Sequence, residues 1–236
     1  MKNNAAPTGK DLAACAMLML CVGAGVALAA EPTAPPAMPP MTAPPAGQYQ
    51  IEKSHASIQL RVSHLGFSTY TTRFSGFDAE LTFDPAKLTE ARVVTNIDAA
   101  SLEMDAAPAF CLDIVRGPQF LDTAKFPSIV FKSERVRMTG KKSMEISGTL
   151  ELHGVTRPIV LTATYNGGYA GMPKMDPHAR VGFSARGALK RSDFGMTYGV
   201  PAPGTTMGVG DLIEISIEAE FTGPALAAPG GESKVQ

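Results

Sequence analysis

From Tyr49 to Thr222 the chain alternates apolar and polar residues with a period of two, the pattern of strands that bury one face. In "HASIQLRVSHL", Ile58, Leu60, Val62 and His64 share a face while Gln59, Arg61 and Ser63 take the other. "FDAELTFDP" repeats the pattern with Phe77, Ala79, Leu81 and Phe83, and stops at Asp84-Pro85. "ARVVTNIDA" follows, then "SIVFKSERV" with Ile129 and Phe131 on one side. "MEISGTLELHG" sets Met144, Ile146, Leu150 and Leu152 together and closes in a His153-Gly154 turn. "RPIVLTATY", "VGFSARGALK" and "DLIEISIEAEF" complete eight strands, the last holding Ile213, Ile215, Ile217, Ala219 and Phe221 in one register.

One segment departs from this period. "MDAAPAFCLDIVRGPQFLD", residues 104–122, spaces Phe110, Cys111, Ile114 and Val115 for one face of a short helix that Gly117-Pro118 ends. The expectation is therefore an all-β domain with a short helix between strands three and four. Eight mostly antiparallel strands, each apolar on one side, close as a barrel or stack as a sandwich. A barrel of eight has an interior just wide enough for side chains or one small ligand. Its inward face would collect the even positions from Ile58 to His64 and the odd ones from Phe77 to Phe83. Phe67 and Tyr70 fall in a connection at one barrel end, and Phe74 is out of register with Phe77 by one. A bulge at Ser75-Gly76 would turn both Phe74 and Phe77 inward.

The flanks are of another kind. Lys2 and Lys10 precede an apolar run from Leu12 to Ala30 that ends in "ALAA", so residues 1–30 form a cleavable signal peptide, with an uncleaved anchor as the rival. Residues 31–48 are a Pro/Ala-rich linker, residues 49–222 the domain, and residues 223–236 a flexible tail. Cleavage removes Cys15 and Cys21, so Cys111 has no internal partner and the fold must stand on its core. Among its apolar neighbours Cys111 is expected as a buried thiol.

Composition narrows the function classes. With 44% hydrophobic and 18% charged residues, a chain of 236 buries a sizeable core. Its 21 Lys and Arg are scattered and balanced by 22 Asp and Glu, which sets aside a nucleic-acid surface or an anionic-membrane patch. No G-x-S-x-G, H-E-x-x-H or P-loop is present, and His55, His64, His153 and His178 have no metal-ligand spacing. The expectation is neither an enzyme nor a metalloprotein.

A string of segments carries a family resemblance: "YQIEKSHASIQLRVSHLGFS", "FLDTAKFPSIVFKS", "GTLELHGVTRPIVLT", "GFSARGALKRSDFGM" and "VGDLIEISIEAEF", in that order. Together they resemble the YceI-like, lipocalin-like family of periplasmic polyisoprenoid-binding proteins across nearly all of residues 49–222. Glu52 stands where the family often has Asp, and Arg73 precedes Phe74 where glycine is common. The resemblance implies an eight-stranded antiparallel, lipocalin-like barrel whose interior takes up an isoprenoid or long-chain lipid without catalysis or cofactor. It leaves the oligomeric state open, a homodimer included.

Under that resemblance the expected lining is Leu60, Val62, His64, Phe67, Phe74, Phe77, Leu81, Phe83, Phe126, Ile129, Phe131, Leu150, Phe183 and Phe194. Taken singly, each phenylalanine reads as plain core before ligand contact, and His64 as a core or rim residue. In "KRSDFG", Arg191 and Asp193 are the expected rim contacts for a polar head group, with the glycine-rich stretch that follows as a lid. The rival readings are a packed structural or stress-response module and an enzyme acting on a lipid or quinone.

Overall fold

Alternation of side chains across each strand leaves every strand with one apolar face, and closing the sheet is what buries all of those faces at once. The computed structural model describes residues 42–226 apart from Ala106 and Lys174. Three pairs of strand segments behave as three long, bent staves. β1 (Gly47–Ile51) and β2 (Ser57–His64) are separated by a 3-10 turn at Lys53–His55; β3 (Ser68–Phe74) and β4 (Phe77–Phe83) by Ser75-Gly76; β5 (Arg92–Asp98) and β6 (Leu102–Glu103) by a turn at Ala99–Ser101. β7 (Ser128–Met138), β8 (Ser143–Leu152), β9 (Val155–Tyr169), β10 (His178–Lys190) and β11 (Val209–Ala225) supply five more.

All pairings among them are antiparallel. At one end the ring runs β1–β4–β5–β7–β8–β9–β10–β11 and closes through β11 on β1. At the other end β11 changes partner to β2, which pairs β3, which pairs β6. The result is an eight-stave antiparallel barrel with one helix, α1 (Ala109–Arg116), after the third stave. The kink between β3 and β4 does what the offset between Phe74 and Phe77 required: both are buried, at 5% and 8% exposure. A Cβ at Gly76 would lie 2.9 Å from Cβ of Ser101, so glycine lets the bent stave approach its neighbour.

Three strand segments lie outside the eight that alternation marked. Residues 47–51 and 102–103 are short, and residues 68–74 carry three threonines that hide the inward set Tyr70, Thr72 and Phe74. Tyr70 is therefore a strand residue, not part of a connection. The β2–β3 hairpin turns at Leu65 (φ 56°) and Gly66 (φ 74°), both left-handed, a geometry that an aliphatic residue rarely adopts. His153 (φ 54°) and Gly154 (φ 72°) make the same kind of turn between β8 and β9.

Pairing extends past the expected domain limits, from Gly47 to Ala225, so the first residues of the supposed tail continue β11. Pro44 is buried and the carbonyl of Pro45 accepts from the Tyr49 hydroxyl at 2.6 Å, so the linker's last residues pack on the barrel. The signal segment, the linker up to residue 41 and the tail from residue 227 lie outside the described residues.

Candidate functional site: an apolar chamber

The inward side chains stack in layers along the barrel, as alternation on tilted staves demands. The layers at the end bearing α1 leave an open chamber of about 500 Å³. Its walls include Leu60 and Val62 of β2, Phe74 of β3, Ile129 and Phe131 of β7, and Leu150 of β8, all expected from the sequence. Exposed His64 and Pro108 belong to the same lining, so the mouth lies between the β2–β3 hairpin and α1. Apart from Tyr70, two threonines and Arg191, the remaining wall is almost wholly aliphatic, aromatic or sulfur-bearing.

A second chamber of about 110 Å³ lies deeper and is walled by Phe77, Leu81, Phe183 and, from the waist it shares with the first, Phe131. Beyond it the barrel is plugged by rings. Phe83 packs edge-on against Tyr49 at 5.7 Å and Phe183 at 5.9 Å between centroids, with Tyr165 at 5.5 Å. Tyr49 has no exposed surface, and burial pushes its phenol up to about 12, with nearby Tyr165 adding to the shift.

Five expected contacts line neither chamber. Phe67 is 82% exposed, because the Leu65-Gly66 turn carries it outside the barrel. Phe83, 2% exposed, belongs to the aromatic plug. Phe126 lies over Gly154 and meets the His153 ring at 4.7 Å, filling the β8–β9 turn. Phe194 is buried in the main core, and its carbonyl accepts from His153 Nδ1 at 3.0 Å. Asp193 is exposed, and its carbonyl, not its carboxylate, accepts from Arg157 Nε at 3.2 Å.

Arg191 does reach the chamber wall, at 3% exposure. Its Nε donates to the carbonyl of Gly210 at 3.0 Å, Nη1 to Met196 at 2.7 Å and Nη2 to Val209 at 2.8 Å. Removal from water pulls its basicity below the ordinary arginine range, against the opposing charge of Asp211. The planar guanidinium thus ties together the two ends of the 191–211 segment, with the Phe120 ring 5.4 Å away. The stretch expected as a lid is pinned at its base, and Met196 and Val209 within it line the chamber.

Helix α1 presents two different faces. Cys111 and Val115, one turn apart, line the chamber, whereas Phe110 and Ile114 are 62% and 47% exposed. The four apolar positions therefore do not share one side, and Cys111 is a half-buried thiol at the wall instead of a fully buried one. Phe120 and Leu121, just past the helix, also line the wall. The i, i+4 spacing of Cys111 and Val115 carried that signal; Met196, in an irregular loop, had none in the sequence.

An up-and-down antiparallel barrel around a chamber with apolar walls is a lipocalin-like binding barrel in architecture. Residues 49–221 match the YceI-like domain family model, and the chain belongs to that family. Among its relatives, a UPF0312 protein of Pseudomonas putida is 36% identical over 177 residues, covering 73% of this chain and 86% of the relative. One from Vibrio cholerae is 35% identical over 179 residues, covering 74% and 87%. Among solved structures, the YceI protein of Campylobacter jejuni superposes with a TM-score of 0.57 at 25% identity, over 69% of this chain and 90% of that one. A polyisoprenoid-binding domain from Saccharophagus degradans shares the fold at TM-score 0.53 and 12% identity, over 75% and 98%. Among the described residues no helix is long and apolar enough to cross a membrane, and no cluster of three or more His, Cys, Asp or Glu is placed to hold a metal ion.

Proposed function

We propose that this protein is a non-catalytic carrier or scavenger that takes the tail of a polyisoprenoid, an isoprenoid quinone or another long-chain lipid into its barrel, working in the periplasm after removal of the leader. The observation that carries this reading is the 500 Å³ chamber with a nearly unbroken apolar wall. Each methylene that leaves water for such a wall gains about 0.8 kcal/mol, so a chain of ten carbons has a large drive inward even after its ordering is subtracted. Polar groups gather at the mouth, where His64 and Tyr70 would face the head of such a lipid. The shared fold with a polyisoprenoid-binding domain supports the ligand class.

Native mass spectrometry of the protein purified from periplasm, followed by solvent extraction, tests the reading. A lipid of one defined mass, held one per chain, is the expected result. A clean unliganded mass that also refuses added isoprenoids would overturn it.

A further inference from the structure

The two chambers meet at a waist. Ile58, Thr95, Phe131, Leu161 and Ile217, from five different strands, face both spaces. Two of these side chains are seated in notches made by glycine. A Cβ at Gly148 of β8 would lie 2.9 Å from Cε2 of Phe131, and one at Gly187 of β10 would lie 2.5 Å from Cδ2 of Leu161. Both glycines occupy inward positions of their strands, flanked by Ile146 and Leu150 on β8 and by Ala185 and Leu189 on β10. Phe131 and Leu161 therefore lie back against the wall where ordinary inward residues would push them toward the axis.

We infer that this glycine-seated waist, with the aromatic plug behind it, sets how long a chain the barrel accepts; the inference rests on the lipid-carrier reading above. The waist separates an outer chamber of about 500 Å³ from an inner one of about 110 Å³. From His64 to Ile58 β2 runs six residue steps. On a tilted stave that is about 15 Å along the axis, and Ile217 to Phe221 adds about 10 Å. The path totals about 25 Å. At about 1.25 Å per carbon of an extended chain, geraniol ends short of the waist and geranylgeraniol crosses it. Phe183 at the inner wall then acts as the stop.

Gly187→Ala isolates the effect. The new methyl clashes only with the flexible end of Leu161, since the Val160 carbonyl oxygen stands at an ordinary contact distance of 3.5 Å, and the space open to the displaced side chain is the waist itself. Gly148→Ala is unsuitable, because there the added atom also meets the Lys132 backbone carbonyl. Equilibrium dialysis with radiolabelled geraniol, farnesol and geranylgeraniol compares the purified wild type, Gly187→Ala, and Gly187→Ala with Leu161→Val. Excluding two or more carbons from the inner chamber weakens geranylgeraniol binding at least about tenfold while geraniol stays within about twofold. Leu161→Val, which removes the colliding carbon, restores the longer alcohol. An equal loss for all three alcohols, or no change for any, overturns the length stop and leaves the carrier reading standing. A wild type that binds none of them overturns both.

Discussion

The two ends of this barrel are built from the same alternating strands and have opposite interiors. Toward α1, inward Leu60, Val62, Leu150 and Ile215 stand around open space. At the far end, inward Tyr49, Phe83, Tyr165, Phe183 and Phe221 close on one another at ring separations of 5.3 to 6.3 Å. Apolar burial drives both, but only the aromatic end turns it fully into contacts between side chains. A barrel that must stay hollow at one end has to be held rigid at the other. The plug does this by packing, and the mouth by the three carbonyls that converge on Arg191.

Truncation at each end sharpens the contrast. Phe83→Ala in the plug is expected to cost about 3–5 kcal/mol, because it opens a cavity that its neighbours cannot collapse into. Leu60→Ala, which faces space already empty, should cost about 1–2 kcal/mol. Urea melts of the two variants decide this, and equal losses would mean that the chamber wall is as tightly packed as the plug.

Next in size is Arg191→Met. Three carbonyls lose their donor, and about 2–4 kcal/mol should go with them. Hydrogen exchange should localise the loosening to the 196–209 segment. A global loss with that segment still protected would show that Arg191 is merely core.

Tyr49 gives a milder, pH-dependent effect. Its phenol ionises near 12 in the folded protein, against about 10 for a free tyrosine. Because the folded state favours the protonated form, this contribution is complete below about pH 10 and is lost as pH rises through the folded value near 12. Burial raises Tyr165 and Tyr169 as well, so phenolate absorbance should show several late steps, of which Tyr49→Phe deletes one near 12, at a stability cost of about 1 kcal/mol for the lost hydrogen bond to Pro45. If that step is already complete by about pH 10, the plug is wetter than its geometry shows.

The smallest change in stability, and a large one in binding, is expected of Val62→Phe. Filling part of the outer chamber should leave the melt within about 1 kcal/mol of wild type. Bound lipid should fall sharply in a native mass spectrum, and undiminished loading would place the ligand elsewhere.

Much of this was legible before any coordinates. Period-two alternation placed Ile58, Leu60, Val62, Phe77, Leu81, Ile129 and Phe131 inside, and the offset between Phe74 and Phe77 announced the bend at Ser75-Gly76. What failed was Phe67, because a Leu-Gly pair does not advertise the left-handed turn that throws it outside. The face of α1 also failed, since four apolar residues in six positions are compatible with more than one orientation. Phe83 was rightly inward, yet in the plug and not at the chamber.

Phe83 shows the general limit. Alternation along a strand is a local property, fixed by backbone geometry, so the sequence by itself determined which side chains point into the barrel, how many long strands close it and which family it joins. Height along the axis, and whether a given height is filled, depends on the stagger between neighbouring strands and on the summed volume of side chains from every strand at that level. That is why only the tertiary structure separated chamber from plug, set Phe131 and Leu161 back into glycine notches and turned Arg191 from a rim charge into the clasp of a loop.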